Sequence, residues 1–317
     1  MKKLVVILPC YNEAEILPRT IQKMKKLMTS LIKSKAISDT SRICFVDDGS
    51  RDATWTIISQ TCRKDKLFSA LKLSRNFGHQ SAILAGMYDV SADIYVTIDA
   101  DLQDDPDCIP QMLDALLNQG CDIVYGVRNS RKSDSFFKRA SASLYYRLLK
   151  LLGLNIVYNH ADFRMMTRRA VETLKQFPER NLFLRAIVPL IGFKSAQVYY
   201  ERTPRTAGET KYPLKSMIAL AWNGISNFSI VPLRLVTFMG FMVCFVSLFF
   251  ISYVIYRWSQ QGTIVGWAST VTIITLFSGL QLLSLGIIGE YLAKVFVEVK
   301  QRPLFIVEDK IGIDGDA

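Results

Sequence analysis

The stretch IYVTIDADLQ, residues 94–103, indicates how this chain folds. Its first five residues are apolar, aromatic or β-branched, which is typical of a strand buried on both faces of a parallel sheet. The run ends at Asp99, so Asp99 and Asp101 stand in the loop beyond the strand. Because ligands of open α/β sheets bind beyond the carboxyl ends of the strands, we expect a functional site at this loop.

Two carboxylates two positions apart are suited to a hard divalent cation. Mg²⁺ and Mn²⁺ take one or two carboxylates together with substrate phosphates, and an ion held in this way neutralises a diphosphate leaving group. We therefore expect Asp99 and Asp101 to bind Mg²⁺ or Mn²⁺, with Gln103 adding an amide oxygen. The alternative is a solvated acidic loop, because three more aspartates follow within residues 104–107.

Strand-like and helical stretches alternate on both sides of this loop. Strands are predicted at Leu4–Leu8, Arg42–Val46, Leu67–Leu73, Ile94–Ile98 and Ile123–Val127. The spacing of apolar residues predicts helices over Glu15–Leu31, Ala53–Cys62, Gln80–Val90 and Pro110–Asn118. This alternation predicts an α/β fold with a mostly parallel sheet that is covered on both faces.

Polar loops also follow the first two strands, as PCYNE at residues 9–13 and VDDGS at residues 46–50. A nucleoside needs an aromatic or apolar surface for its base, and acceptors for its hydroxyl and N–H groups. Tyr11, Glu13 and Asp48 supply these. Ordinary turn chemistry is the alternative, but three such loops at successive strand ends favour a nucleotide site.

The last third of the chain is strongly apolar. Leu235–Tyr256 and Trp258–Gly289 carry no charge, and about 20 apolar residues suffice to cross a bilayer as a helix. We therefore expect two membrane-spanning helices, with a pair of buried core helices as the alternative. The predicted organisation is a catalytic domain at 1–211, an amphipathic juxtamembrane segment at 212–230, a transmembrane hairpin at 231–290, and a cytoplasmic tail at 291–317 that can form a β-hairpin around Arg302–Pro303.

Charge and cysteine content narrow the class of protein. The formal net charge is +11, and residues 1–234 carry +12, with 34 Lys and Arg against 22 Asp and Glu. This predicts a cytoplasmic domain by the positive-inside rule and contact with anionic lipid or an anionic substrate. No recognised nucleic-acid-binding module is present, so we expect no nucleic-acid partner. The six cysteines form no CxxC pair and no Cys/His cluster, which argues against a disulfide framework or a zinc site.

Four motifs follow one another along the chain: PCYNE, VDDGS, SRNFG and DADLQDDP. In this order they resemble the motifs of the family 2 glycosyltransferases of the GT-A fold. With the later YGVR, ADFRMM and RTAGETKY and the apolar C-terminal stretches, the chain resembles the polyprenyl-phosphate branch. That branch includes dolichol-phosphate mannose synthases and, most similar to this chain, bactoprenol glucosyltransferases of the GtrB type. The resemblance covers essentially the whole chain. It implies a GT-A domain, a nucleotide-sugar donor and a polyprenyl phosphate acceptor.

The resemblance also implies roles for individual residues. Those that would hold the nucleotide-sugar are Pro9, Tyr11, Glu13, Val46, Asp48, Asp99, Ala100, Asp101, Arg128, Arg205 and Lys211. The metal would be bound by Asp99, Asp101 and Gln103, and the catalytic residues would be Asp101, Asp162 and Arg128. Arg205 and Lys211 match the family's basic loop over the active site; the alternative is a juxtamembrane patch that binds lipid headgroups.

Asp162 lies where many inverting members of this fold carry a catalytic carboxylate. Because a lipid phosphate is already anionic near neutral pH, a general base has little to do. The alternatives are that Asp162 orients a sugar hydroxyl or pairs with Arg164. His79 is interpreted as a polar residue near the substrate mouth.

The resulting hypothesis is the inverting transfer of one sugar, glucose from UDP-glucose being favoured, to undecaprenyl or another polyprenyl phosphate at the cytoplasmic face of a bacterial inner membrane. Mannose from GDP-mannose and UDP-linked aminoarabinose derivatives are the alternatives. A non-catalytic membrane scaffold is disfavoured because the motifs are intact, and a processive synthase because there are two apolar helices and no QxxRW motif. Small residues near 279–289 suggest a homo-oligomer, with a tetramer as the guess.

Overall fold

The structure is a computed structural model that describes residues 1–128, 160–180, 182–201, 231–260 and 266–313. The chain divides into two compact units. The first comprises residues 1–150, 155–212 and 302–317, and the second residues 151–154 and 213–301.

The first unit is built on one sheet. Its strands are β1 (Leu4–Cys10), β2 (Arg42–Asp47), β3 (Phe68–Leu73), β4 (Ile94–Thr97), β5 (Ile123–Arg128), β6 (His160–Thr167), β7 (Ser195–Tyr200) and β8 (Val307–Ile311). They lie in the order β7-β5-β6-β4-β1-β2-β3-β8. The neighbours from β4 to β3 are parallel, as are β5 and β7, whereas β6 runs antiparallel to β4 and β5. The predicted mostly parallel α/β sheet is confirmed.

Helices connect these strands. They are α1 (Leu17–Lys33), α2 (Thr54–Lys64), α3 (His79–Asp89), a 3₁₀ turn (Pro106–Cys108), α4 (Ile109–Asn118), α5 (Arg168–Leu174) and α6 (Leu184–Leu190). The predicted helices agree with the first four of the α-helices to within two residues at each end.

Helices cover both faces of the sheet. Successive side chains of a strand point to opposite faces, so β1 packs against both layers of helices. Val6 and Leu8 of β1 belong to the core cluster that includes Met24 of α1. On the other face, Gly86 of α3 approaches so closely that a Cβ atom there would lie 2.5 Å from Cγ2 of Ile7. This close packing sets α3, and therefore its first residue, against the strand ends.

The C-terminal tail differs from the predicted hairpin. After the second unit ends, β8 pairs antiparallel with β3, and the amide of Ser74 donates to the carbonyl of Ile306 at 3.0 Å. The first part of the predicted tail, as far as Lys300, is helical and belongs to the long helix that begins at Trp267. The strand of the tail, β8, covers what would otherwise be an open sheet edge at β3.

The second unit contains two long helices, α7 (Val231–Ser259) and α8 (Trp267–Lys300). Large apolar side chains are exposed along both, such as Phe241 and Leu282. Among the residues that the structure describes, no helix has the combined length and apolarity needed to cross a membrane. The structure thus supports long helices within 231–290 but leaves the predicted transmembrane hairpin unsupported. The amphipathic segment predicted at 212–230 lies outside the described residues.

Candidate functional site

The loops after β1 and β2 are tied together by hydrogen bonds. The amide of Asp48 donates to the carbonyl of Cys10 at 2.9 Å, and the amide of Asn12 to Oγ of Ser50 at 3.0 Å. In return, the amide of Arg51 donates to Oδ1 of Asn12 at 2.9 Å. The PCYNE and VDDGS motifs, distant in sequence, therefore form one surface at the carboxyl end of the sheet.

The predicted donor-binding residues of these loops occupy different environments. Pro9 and Val46 are adjacent on neighbouring strands and are buried within the sheet. Tyr11 is 42% exposed and offers an aromatic face. The amide of Glu13 donates to Oγ1 of Thr54 at 2.9 Å, and its carbonyl accepts the first amides of α1. Tyr11 is thus open to a ligand, whereas Pro9 and Val46 support the surface from below.

Asp48 fastens the loop after β3 to this surface. Its Oδ1 accepts from the amide of Phe77 at 2.7 Å and its Oδ2 from the amide of Gly78 at 2.9 Å. Burial raises the pKa of Asp48, while these two N–H groups oppose the rise. Beside it, Gly49 has φ 66° and lies so close to Arg75 that a Cβ atom would stand 2.4 Å from the Arg75 carbonyl carbon. The carboxylate predicted to bind the nucleoside therefore also organises the SRNFG loop.

The loop after β4 is held in shape by two hydrogen bonds between side chains and the backbone. Oγ1 of Thr20 donates to the carbonyl of the buried Ala100 at 2.7 Å. The amide of Gln103 donates to Oδ1 of Asp101 at 3.1 Å, and Leu102 takes a left-handed φ of 54°. The predicted metal-binding segment is therefore a compact turn that follows a buried strand.

The carboxylates of this turn fit a divalent cation. Oδ1 of Asp99 is buried and, within the described residues, accepts no hydrogen bond. Burial, with the repulsion of nearby carboxylates, raises the pKa of Asp99 to about 6, against an opposing effect of His79. Nε2 of His79 lies 3.4 Å from this oxygen without forming a hydrogen bond to it. A buried acceptor without a hydrogen-bond donor is costly, and a bound cation would relieve that cost. No group of three or more His, Cys, Asp or Glu side chains in the described residues is arranged around a metal position; two carboxylates with substrate phosphates suffice for Mg²⁺ or Mn²⁺.

Asp162, on β6, is clamped by two arginines. Its Oδ1 accepts from Nη2 of the buried Arg164 at 2.6 Å, and its Oδ2 from Nη2 of Arg185 at 3.2 Å. Burial alone raises the pKa of Asp162, but Arg185, His79 and Arg164 together hold that pKa well below its usual range. Asp162 is therefore an anion at neutral pH and a weak base. The pairing with Arg164, considered above as one alternative, is present.

Arg164 also anchors the beginning of α6. Its Nη1 donates to the carbonyl of Leu184 at 3.3 Å, while the amide of Leu184 donates to Oε1 of Gln80 at 2.8 Å. The next residue, Arg185, is thereby directed at Asp162. Sequence reasoning missed Arg185, because its separation from Asp162 along the chain carries no signal of their contact.

His79 stands between the two acidic positions. Its Nε2 lies 3.4 Å from Oδ1 of Asp99 and 3.6 Å from Oδ2 of Asp162. Burial lowers the pKa of His79, but its interactions with the carboxylates of Asp162 and Asp99 outweigh that effect, so the pKa is raised. His79, interpreted from sequence only as a polar residue near the substrate, joins the metal-binding turn to the Asp162 cluster.

Arg128 is tied to the acidic loop. Its Nη2 donates to Oδ1 of Asp104 at 3.2 Å, and the hydroxyl of Tyr200 donates to the same oxygen at 2.5 Å. Arg128 is predicted to face the phosphates or the acceptor; here it is 27% exposed and braces the turn that carries Asp101. The predicted basic loop with Arg205 and Lys211 lies outside the described residues.

The chain matches a known protein family and is similar to known bacterial proteins. Residues 5–175 match the family described as Glycosyl transferase family 2. The chain is 46% identical to the glycosyltransferase YkoT of Bacillus subtilis over 96% of this chain and 91% of that one. It is 34% identical to the SfII prophage-derived bactoprenol glucosyl transferase of Shigella flexneri over 96% of this chain and 97% of that one.

The fold of this chain is also similar to those of solved structures. One of them is a glucosyl-3-phosphoglycerate synthase of Mycobacterium tuberculosis in complex with Mn²⁺, UDP and phosphoglyceric acid. It is 18% identical, with a TM-score of 0.48, and covers 71% of this chain and 76% of that one. From the family match and the near full-length relatives, this chain belongs to the family 2 glycosyltransferases and has the GT-A α/β fold of that family.

Proposed function

We propose that this chain transfers one glucose from UDP-glucose to a polyprenyl phosphate, with inversion at the anomeric carbon. The observation that carries the proposal is the meeting of three motif loops, those of Tyr11, Asp48 and Asp99, at the carboxyl end of one sheet. Relatives that match nearly the whole chain are named bactoprenol glucosyl transferases, which supports a lipid phosphate as acceptor.

The donor is proposed to lie across these loops. Tyr11, Glu13 and Asp48 bind the nucleoside, over a floor made by Pro9 and Val46. Asp99 and Asp101, with Gln103 beside them and Ala100 holding the turn, take the diphosphate end. Mg²⁺ or Mn²⁺ bound there would neutralise the charge of the leaving group. Arg205 and Lys211 are proposed to approach the same phosphates.

The reaction needs a nucleophile and a leaving group but no strong base. An oxygen of the lipid phosphate forms a bond to the anomeric carbon, the bond from that carbon to the diphosphate oxygen breaks, and the electron pair leaves with the nucleoside diphosphate. A phosphate monoester is largely ionised at pH 7, because its second pKa is about 6. Positioning and charge neutralisation are therefore the main contributions of the protein.

Asp162 and Arg128 are proposed to act by holding charge in place. The depressed pKa of Asp162 makes it a poor proton acceptor, so we assign it the orientation of a sugar hydroxyl. Arg128 braces the acidic turn through Asp104 and adds positive charge beside the diphosphate. Both assignments keep the predicted site residues, and for Asp162 they select one of the alternatives considered from the sequence.

The exposed apolar helices are proposed to attach the enzyme to the inner membrane of a bacterium, with the catalytic unit and both termini in the cytoplasm. The positive charge of residues 1–234 supports this orientation. Gly279, Gly286 and Gly289 of α8 have open space where a Cβ atom would lie, which suits close helix contacts between copies. We propose a homo-oligomer, with a tetramer as the first arrangement to test.

The decisive experiment is transfer of radiolabel to undecaprenyl phosphate in detergent, with Mg²⁺ or Mn²⁺. The donors are UDP-glucose, GDP-mannose and a UDP-linked aminoarabinose derivative. We expect labelled lipid from UDP-glucose alone. Labelling from one of the other donors would reassign the sugar. No labelled lipid from any donor, with folded protein that binds nucleotide, would refute the lipid acceptor.

A further inference from the structure

The C-terminal strand reaches the donor surface. A cavity of about 300 Å³ opens beside Tyr11 and the loops that follow β2 and β3. Its lining consists of Tyr11, Gly49–Arg51, Lys72–Asn76 and Glu308. All of these except Glu308 belong to the motif loops or to the end of β3. Glu308 comes from β8, at the far end of the chain.

β8 is fixed firmly enough to place Glu308. Four residue pairs join it to β3, with a bulge between Lys72 and Leu73. Nζ of Lys310 lies 2.8 Å from Oδ2 of Asp89 on α3, and the ring of Phe305 packs near that of Tyr88. Glu308 is thus presented by a strand that is held at both of its ends.

Glu308 forms an ion pair at the cavity wall. Its Oε2 lies 2.9 Å from Nζ of Lys72, and the Lys72 ammonium also lies 5.9 Å from the ring centre of Trp55. Glu308 is 49% exposed and Lys72 27% exposed. Partly exposed ion pairs contribute little to the stability of the fold, so stability does not by itself explain the presence of this pair. The cavity wall therefore presents a hydrogen-bond donor directly beside an acceptor.

Arg75 is another charged residue of this wall, and its side chain contacts its own loop. The Arg75 guanidinium stacks on the ring of Phe77 at 4.1 Å and donates to the carbonyl of Asn76 at 3.3 Å. Tyr11 provides an exposed aromatic face on which a flat ring can stack. A cavity of this volume, with one aromatic face and a few polar groups, suits a small planar ligand.

We propose that β8 completes the nucleobase pocket of the donor site, and that Lys72 and Glu308 select bases with a carbonyl next to a ring N–H. Lys72 donates to the carbonyl and Glu308 accepts from the N–H. Uracil and guanine both present this edge. This inference rests on the proposed nucleotide-sugar donor, but it assigns base selection to the C-terminal tail.

The same pair disfavours cytosine and adenine. These bases present an amino group next to a ring nitrogen without hydrogen, so the amino group would face the Lys72 donor and the bare nitrogen would face the Glu308 acceptor. Leaving polar groups without partners in a site built for hydrogen bonding is costly. For a cavity open to solvent, we expect UDP and GDP to bind at least about tenfold more tightly than CDP and ADP.

The test measures nucleotide binding by the full chain in detergent, without any lipid acceptor. Equilibrium dialysis with radiolabelled UDP, GDP, CDP and ADP gives the preference for each variant. In Glu308→Val the ratio of UDP to CDP affinity should fall at least about fivefold. Lys310→Val is the matched control, because it removes the other ion pair of β8 and lies outside the cavity lining. Its ratio should stay within about twofold of the starting protein.

A double variant separates base reading from a structural role. Lys72→Glu combined with Glu308→Lys keeps an ion pair but exchanges donor and acceptor, so the preference should shift towards CDP and ADP. An unchanged preference in the folded double variant, or equal effects of Glu308→Val and Lys310→Val, would overturn the inference. So would equal binding of all four nucleotides by the unaltered chain. Selective UDP binding without transfer to lipid phosphate would refute the proposed acceptor and leave this inference standing.

Discussion

Nη2 of Arg164 donates to Oδ1 of Asp162 at 2.6 Å, and the Arg164 side chain is only 1% exposed. The two residues belong to the same strand and lie two positions apart, so they point to the same face of the sheet. Burial of a guanidinium and a carboxylate is tolerated because each neutralises the other. Through Leu184 the same arginine also holds the start of α6, which carries the second arginine on Asp162. The strand therefore supplies both the acidic group and one of the charges that keep it ionised, and Arg185 and His79 supply the others.

Arg164→Met should destabilise the protein strongly. The substitution leaves Asp162 buried with one of its two arginines removed, and it frees the Leu184 carbonyl; removal of one member of a buried pair costs about 3–5 kcal/mol. Arg185→Met is the comparison, because Arg185 is 35% exposed and should cost less. Thermal unfolding of both variants gives the order. A smaller loss for Arg164→Met than for Arg185→Met would contradict this account of the cluster.

Asp162→Asn should lower stability in a pH-dependent way. The folded pKa of Asp162 is depressed below the unfolded value of about 3.9. Its ionised form therefore contributes stability above about pH 4, and the contribution is lost as the pH falls through the lower folded pKa. The difference in unfolding free energy between the two proteins should be full at pH 7 and shrink at acidic pH. A difference that grows on acidification would refute the assignment.

The same variant tests whether Asp162 is a base. A carboxylate that stays ionised throughout pH 5–8 cannot produce an ionisation in the rate profile. We expect Asp162→Asn to lower kcat and to keep every limb of the pH profile of kcat/KM. Any limb that reports His79 or Asp99 should move to lower pH, because Asp162 raises the pKa of both groups. Loss of an acidic limb in the variant would instead show that Asp162 titrates during turnover.

Asp101→Asn should reduce sugar transfer by about a hundredfold or more, with the fold intact, because it removes a charge from the proposed metal and diphosphate site. EDTA should abolish transfer by the unaltered protein, and added Mg²⁺ or Mn²⁺ should restore it. Asp107→Asn is the control, since Asp107 pairs with Lys23 on the exposed side of the same acidic segment. Wild-type rates for Asp101→Asn in saturating metal would refute the metal assignment.

Gly49→Ala should be far more damaging than Gly120→Ala. Both glycines have left-handed φ values, 66° and 60°, so both substitutions carry about 1 kcal/mol of backbone strain. Only at Gly49 would the new Cβ atom meet backbone, at 2.4 Å from Arg75, whereas nothing lies within 4 Å at Gly120. Nucleotide affinity and thermal stability should fall together for Gly49→Ala. Equal losses for the two variants would show that the contact with Arg75 is unimportant.

Some of the candidate site is readable from sequence because it depends on local order. Strands Leu4–Cys10, Arg42–Asp47 and Ile94–Thr97 each contain an apolar run, and a parallel sheet places the loops that follow such strands at one edge. The positions of Tyr11, Asp48, Asp99 and Asp101 at that edge follow from this rule alone. Family motifs added the expected chemistry, which those strand patterns do not contain.

By itself, the sequence determined the α/β class, the parallel strands and the chemical character of the loops beyond them, because hydrophobic periodicity and strand direction are local properties. Only the tertiary structure decided which distant groups meet. His79 between Asp99 and Asp162, Arg185 on Asp162, and Glu308 on Lys72 all depend on how helices and strands pack. The lowered pKa of Asp162 also could not be predicted from the sequence, because it reflects the balance between burial and the charges that the fold brings within a few ångströms.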